Sequence, residues 1–285
     1  MSECPILVWM LSLNREYTVA EYDECYKLVG ECIKYTTFPY APRNVDSFRK
    51  IITAMLPLLM MRHRRIPRAK WKDCHNSQGK HWIEQDQNDT PTEKWNHSMI
   101  GYHLAISNSL CGMAMTQGER AKVVHIGLGI IQYTVEPRGT SIATYIESMN
   151  HKLTAVERKS FDDQPEATQL RRLCILLALK DAYIRAIGQP IGFDYARLEF
   201  DVVNGKAQGD GKPLAGWEFR VFTANLGVAR STKLVQEAYE CVCAFYRGPH
   251  AETKFIWHQT PRELESWVQF INIDQMVKVI PKLTA

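Results

Sequence analysis

The chain has 285 residues, 45% of them hydrophobic and 23% charged, with a formal net charge of +4. This composition excludes intrinsic disorder over most of the length and provides enough apolar surface for a substantial core. The longest apolar run, "IITAMLPLLMM" at 51–61, contains Pro57 and runs into "RHRR"; it is too short to cross ~30 Å of hydrocarbon, so no membrane span is expected.

In chain order, "ILVWMLSL" at 6–13 predicts a strand. "TVAEYDECYKLVGECIK" predicts a helix behind a Thr18 to Glu21 capping box, with Val19, Tyr22, Tyr26, Val29 and Ile33 along one face. "CIKYTTF" can extend it into a strand. "NVDSFRKIITAML" predicts a second helix, capped by Asn44, with Val45, Phe48, Ile51, Ile52 and Met55 on one side and an end near Pro57. From 97 to 165 the pattern gives a helical "HSMIGYHLAISNSL", a strand-like "AKVVHIGLGIIQYTV", a helical "GTSIATYIESMNHKL" and the polar candidate linker "KSFDDQPEATQ". "LRRLCILLALKDAYIRAIG" is then an apolar helix stopped by Gly188. "YARLEFDVV" and "GWEFRVFTA" read as two strands around the glycine-rich loop "NGKAQGDGKPLAG". Ser231 is read as the cap of a helix "TKLVQEAYECVCAFYRG". "KFIWHQT" is a strand, and "TPRELESW" opens a last helix with Thr260, Pro261 and Glu263 at its start. Hairpins together with segregated helices predict an α+β fold built on a curved antiparallel sheet.

The eight cysteines are scattered through apolar patterns, as reduced core cysteines are in an intracellular protein. Glu3 stands where a secretory signal would have a cationic lead, so the expected location is the cytoplasm or the nucleus. The "CVC" at 241–243 is too closely spaced for zinc, and Cys74, His75 and His81 fit no common zinc pattern, so no metal is expected. G-x-S-x-G, Walker A and H-E-x-x-H sequences are absent. "VEPRGTSIATYIESM" resembles the strand, turn and helix that grip pyrophosphate in acyl-coenzyme A acetyltransferases, without their paired glycines; an enzyme of that kind is the main catalytic alternative.

The run "RHRRIPRAKWK" at 62–72 carries six Lys or Arg around a tryptophan, which suits RNA, because phosphates need cations and bases need flat faces. Trp71, Trp82 and Trp95 lie in polar surroundings, and "WIEQDQNDTPTEKW" at 82–95 sets Glu84, Asp86, Asp89 and Glu93 between two of them. With "VWMLSL" as a first strand, "NVDSFRKII" as a helix, "KWKDCHNSQGKHWIEQDQN" as a strand and loop, "LRRLCILLALKDAY", "RLEFDVV…GWEFRVFTA", "STKLVQEAYECVCAF" and "KFIWHQT", the order of features resembles the messenger-RNA cap-binding proteins of the translation initiation factor 4E family.

That resemblance implies one cap-binding domain over 1–285, with a curved antiparallel sheet backed by helices and an inserted subdomain at 97–165. It implies a binder rather than an enzyme, with no catalytic residue and no cofactor. The ligand would be 7-methylguanosine, a cationic base held between aromatic faces, its edge read by a carboxylate and its phosphates met by cations. On the resemblance Trp82 is the second sandwich aromatic, with Trp71 as its rival, and Glu84 the guanine acceptor. Tyr17 is the first aromatic, with Tyr26 as its rival. Phe222 lies near the methyl group, and Arg220, Lys206 and Lys212 are phosphate contacts. The implied partners are capped messenger RNA and an initiation scaffold or repressor docked on the dorsal helices near Val45, where Arg49 replaces the family's tryptophan. An RNA or protein interaction module without cap affinity is the remaining alternative.

Overall fold

The computed structural model describes residues 4–88, 90–189 and 192–283; Asp89 of the acidic loop lies outside the described residues. The chain opens with β1 (Ile6–Ser12), α1 (Val19–Cys32), α2 (Val45–Ala54), α3 (Leu56–His63), β2 (Trp71–His75), β3 (His81–Gln85) and α4 (Thr92–Asn96). It continues through β4 (Met99–Ser107), β5 (Leu110–Gly118), α5 (Arg120–Val123), β6 (Ile126–Gln132), α6 (Ile142–Ser148), α7 (Ala155–Lys159) and α8 (Glu166–Ile187). The rest comprises β7 (Leu198–Asp201), β8 (Lys206–Gly209), β9 (Lys212–Pro213), β10 (Trp217–Arg230), β11 (Lys233–Tyr246), β12 (Lys254–His258), α9 (Pro261–Leu264), β13 (Val268–Asn272) and α10 (Ile273–Val279). The class is α+β, with mixed sheets: β1–β13 and β10–β12 pair in parallel among antiparallel neighbours.

Two compact units divide the chain. The first is 1–124 with 226–236 and 264–285, and the second is 125–225 with 237–263. The stretch 97–165, read above as an insertion, supplies β4, β5 and α5 to the first unit and β6, α6 and α7 to the second.

In the first unit a six-stranded sheet runs β13-β1-β5-β4-β3-β2. Leu11, Ile83, Ile100, Tyr102, Cys111 and Met113 pack from the sheet against Tyr22, Cys25, Phe48, Ile51, Ile52 and Met276 of α1, α2 and α10. The helix starts are chemically specified. Thr18 Oγ1 accepts from Glu21 N while the Glu21 side chain bonds back to Thr18 N, and Asn44 Oδ1 accepts from Asp46 N and Ser47 N. Because successive strand residues point to opposite faces, Ile83 joins this core while Trp82 packs on the other side with Met99 and Val123.

In the second unit a four-stranded sheet runs β12-β10-β11-β6 and a small one β7-β8-β9. Helix α8 lies so close to β6 that a Cβ at Gly127 would sit 2.1 Å from the Ala182 carbonyl oxygen, and one at Gly129 2.2 Å from that of Ala178. Glycine on the strand and alanine on the helix permit this approach. The helix ends at Gly188, which adopts the left-handed conformation at φ 74°.

Three expectations fail here. The helix expected in "HSMIGYHLAISNSL" is strand β4, central in its sheet. The helix expected after Ser231 is strand β11; Ser231, at φ 52°, sits in the two-residue hairpin connection instead of capping. Tyr239, Glu240, Cys241, Val242, Cys243, Ala244 and Phe245 are all buried, so the alternation that marks a strand is missing and periodicity alone does not separate it from a helix. The strands read as a hairpin also part company: β7 pairs with β8, while β10 pairs with β11 and β12.

Candidate functional site

A cavity of about 240 Å³ opens in the first unit between the end of β1, α2, the β4–β5 turn and the tip of the β10–β11 hairpin. Leu13, Val45, Phe48 and Val228 form its apolar wall, and Arg15, Arg49, Arg230, Ser109 and the exposed Glu16 its polar one. Main-chain bonds fix the rim: Leu13 N donates to Ser109 O and Ala229 N to Asn14 O, each at 2.8 Å. Tyr17 closes one side, its ring stacked on Phe48 at 3.9 Å and its hydroxyl donating to Pro42 O at 2.9 Å. Burial pushes its pKa up.

The three arginines differ in what they can still do. Arg15 is clamped: Nη2 and Nη1 meet the Glu21 carboxylate at 2.7 and 3.1 Å, and Nε meets Asp274 at 2.7 Å. Those bonds, the one to Glu21 first, hold the Arg15 pKa above its ordinary value and lower that of Glu21. Arg15 therefore builds the rim. Arg230 Nη2 donates to Ser109 Oγ at 2.9 Å. Arg49 is the open one: Nη1 reaches Asp46, a 71% exposed side chain, at 2.6 Å, while its buried Nε has no hydrogen-bond partner. A buried guanidinium donor without an acceptor costs free energy.

The second unit buries its charges differently. Lys180, 0% exposed, donates to Lys152 O at 2.7 Å, Glu157 Oε2 at 2.7 Å and Tyr195 O at 3.0 Å, and Glu157 Oε1 accepts from Phe200 N at 2.9 Å. Burial lowers the Lys180 pKa against the opposing pull of Glu157. Glu240 accepts from the Tyr133 hydroxyl, and burial raises its pKa to about 7, although Tyr133, Arg171 and Thr223 act to lower it.

Within the first unit, the residues singled out from sequence do not converge. Trp82 is buried at 6% exposure, donates Nε1–H to Glu84 Oε1 at 2.8 Å and carries the Arg120 guanidinium 4.7 Å above its ring. Tyr17 packs with the helices on the opposite face of the same sheet, so the two rings flank no common slot. The rivals fare alike: Trp71 is buried with Arg68 4.2 Å above its ring, and Tyr26 packs between Tyr22 and Tyr40. In the second unit Arg220 is bonded to Glu218 at 2.6 Å, Phe222 is buried, and Lys206 and Lys212 are exposed on the small sheet. Of the whole set only Tyr17, Val45 and Arg49 line the cavity. Sequence reasoning missed Arg15, Ser109 and Arg230, which are brought to the cavity from three distant segments. The available signal was Arg49, a cation interrupting an otherwise apolar helix face.

No family model matches the chain. The 4'-phosphopantetheinyl transferase pptA of Paxillus involutus is 30% identical over 186 residues, which cover 63% of this chain and 67% of that protein. The chain belongs to the 4'-phosphopantetheinyl transferase family. The L-aminoadipate-semialdehyde dehydrogenase-phosphopantetheinyl transferases of Mus musculus and Homo sapiens are 40% and 38% identical over 82 residues, 28% of this chain and 26% of theirs.

This membership overturns the resemblance to initiation factor 4E. Family members are transferases, so the expectation of a binder without catalysis is corrected, and the cap-binding function, the capped messenger RNA and the dorsal initiation scaffold fall with it. Neither the acetyltransferase nor the interaction-module alternative names the transferase family. The resemblance misled because it matched elements the chain does not form, a helix where β11 stands and a hairpin whose strands do not pair, and because function lives in the site and not in the order of elements.

Proposed function

We propose that this chain transfers the 4'-phosphopantetheinyl group of coenzyme A to a hydroxyl of a carrier protein. The observation that carries the reading is the relationship to the Paxillus involutus transferase over two thirds of that protein. In the reaction the hydroxyl oxygen attacks the phosphorus bearing the pantetheine arm, the bridging P–O bond of the diphosphate breaks, 3',5'-ADP departs, and the hydroxyl proton passes to a base or to water. Two features of the cavity support the reading: a polar wall bearing three arginines, and an apolar wall beside it. A space of about 240 Å³ receives one phosphate-bearing end of coenzyme A rather than the whole molecule.

The test is to incubate the chain with coenzyme A and an apo carrier protein and to weigh the carrier by mass spectrometry. Addition of one phosphopantetheinyl group, with release of 3',5'-ADP, is the expected result. An unchanged carrier, together with no binding of coenzyme A by calorimetry, overturns the proposal.

A further inference from the structure

Cys74, His75 and His81 are neighbours in sequence, and the register of β2 on β3 separates them. His75 lies directly opposite His81, and Cys74 opposite Trp82. Because successive strand residues alternate between faces, Asp73, His75 and His81 share one side of the sheet, while Cys74 is turned to the other and packs with Trp82. The fold thus exchanges the thiol of the sequence grouping for a carboxylate.

The two imidazoles face each other, with ring centroids 5.7 Å apart and 29° between their planes. His81 is held from behind. Its Nδ1 lies 3.4 Å from Asp73 Oδ1, and Asp73 Oδ2 accepts from the Tyr102 hydroxyl at 2.6 Å. Burial holds the Tyr102 pKa well above its ordinary value, so that hydroxyl stays a donor to Asp73. Its oxygen, 3.4 Å from His81 Nδ1, then offers the imidazole only a lone pair, as the carboxylate does. Nδ1 therefore carries the proton and Nε2 the lone pair. This is the arrangement in which a carboxylate fixes the tautomer of a metal-ligating histidine and raises its basicity. The His75 ring is exposed and makes no hydrogen bond to a described residue, so it can turn towards the same point.

Among the described residues, no group of three or more His, Cys, Asp or Glu is placed to hold a metal ion. A pair of imidazoles is a smaller site than that, completed by water. Imidazole selects late transition-metal cations such as Zn²⁺ and Cu²⁺, whereas Mg²⁺ and Ca²⁺ take oxygen ligands. With two protein ligands the ion is exchangeable, unlike one enclosed by four.

We infer that His75 and His81 form an exchangeable site for a late transition-metal dication, with Asp73 as the positioning residue behind His81. The ion clips β2, the edge strand of its sheet, to β3. The site stands apart from the transferase reading and does not depend on it.

Calorimetric titration of Zn²⁺ into the full chain tests the inference. One saturable site is expected, and the thermal midpoint should rise with Zn²⁺ concentration, because the ion binds the folded hairpin. His75→Ala, a change at an exposed ring, should abolish the site and leave the metal-free midpoint where it was. Cys74→Ser should leave Zn²⁺ affinity unchanged. Asp73→Ala frees the Tyr102 hydroxyl to donate to Nδ1, so it should move the His81 proton to Nε2, read from the ring nitrogen-15 shifts, and weaken Zn²⁺ binding by at least about tenfold. A titration with no saturable site, a site that survives His75→Ala, or one lost in Cys74→Ser overturns the inference. A parent chain whose His81 already carries its proton on Nε2 overturns the role given to Asp73.

Discussion

The first unit and the second both place charge beneath the surface, and they finish it in opposite ways. In the second, the Lys180 ammonium meets three acceptors within 3.0 Å, and the Glu157 oxygens are taken up by Lys180, Phe200 N and Thr154 N. That network ties α8 to the α7 cap and to the start of β7. In the first, Arg49 reaches the cavity with a buried donor unsatisfied. A completed set of bonds marks a group whose work is holding the fold, and an incomplete one beside open space marks a group positioned for something that arrives. The distinction is energetic: buried polar groups are nearly always paired, so an exception requires a reason.

The largest effect should come from breaking the completed set. Lys180→Met leaves the Glu157 carboxylate buried without its cation, which costs about 3–5 kcal/mol. Urea denaturation followed by circular dichroism would show it. Replacing both members, Lys180→Met with Glu157→Leu, should recover only part of that loss: it removes the desolvation cost of two charges but leaves Lys152 O, Tyr195 O, Phe200 N and Thr154 N without these partners. If the single variant unfolds at the same urea concentration as the parent, the pair is not part of the scaffold and the contrast with Arg49 dissolves.

Glu240 supplies the second test. Burial raises its folded pKa to about 7, above the ordinary carboxylate value of 4.5. Between those values the folded chain binds more proton than the unfolded chain, so stability is fully present below about 4.5 and declines as pH rises toward 7. The shift corresponds to roughly 3 kcal/mol. Glu240→Gln keeps the shape and removes the titration, so its stability measured by denaturant should lack this decline, and the gap between variant and parent should widen from pH 5 to pH 8. A parallel pair of curves would show that Glu240 does not titrate in that window.

The unfinished group behaves differently. Arg49→Ala should lower coenzyme A affinity by about tenfold, equivalent to about 1.4 kcal/mol, and leave the denaturation midpoint within experimental error. Its pair with Asp46 is exposed on one side and contributes little to stability. Destabilisation with unchanged affinity would reverse the assignment and place Arg49 with Lys180.

Much of the local structure was legible. Thr18 with Glu21, Asn44 and Gly188 each has one chemical role at a helix end, and each performs it. Strand β11 was not legible, because a strand buried on both faces keeps apolar residues at every position. The cavity was hidden for another reason: Leu13, Phe48, Ser109 and Arg230 become neighbours only through the pairing of β1 with β5, the seating of α2 and the reach of the β10–β11 hairpin. Trp82 and Glu84 show the converse error. Two residues apart on one strand, they point the same way, and the alternation that brought them together also turned them toward each other.

The smallest expected effect on affinity separates that pair from a ligand site. If Trp82 is scaffold, Trp82→Phe keeps a smaller aromatic ring among Met99 and Val123 and loses both the Nε1–H bond to Glu84, whose carboxylate is partly exposed and can be rehydrated, and the packing of the rest of the indole. The expected cost is about 1–3 kcal/mol in stability, with coenzyme A affinity unchanged. Glu84→Gln should cost no more, since an amide oxygen still accepts from the indole. The cation above the ring sharpens the comparison: Arg120 lies 4.7 Å from the Trp82 centroid and covers the face a ligand would need, so Arg120→Ala should also leave affinity unmoved. A loss of coenzyme A binding in Trp82→Phe, with the fold intact, would place a second recognition point on the far side of the first sheet and break the rule that satisfied buried groups only hold the fold.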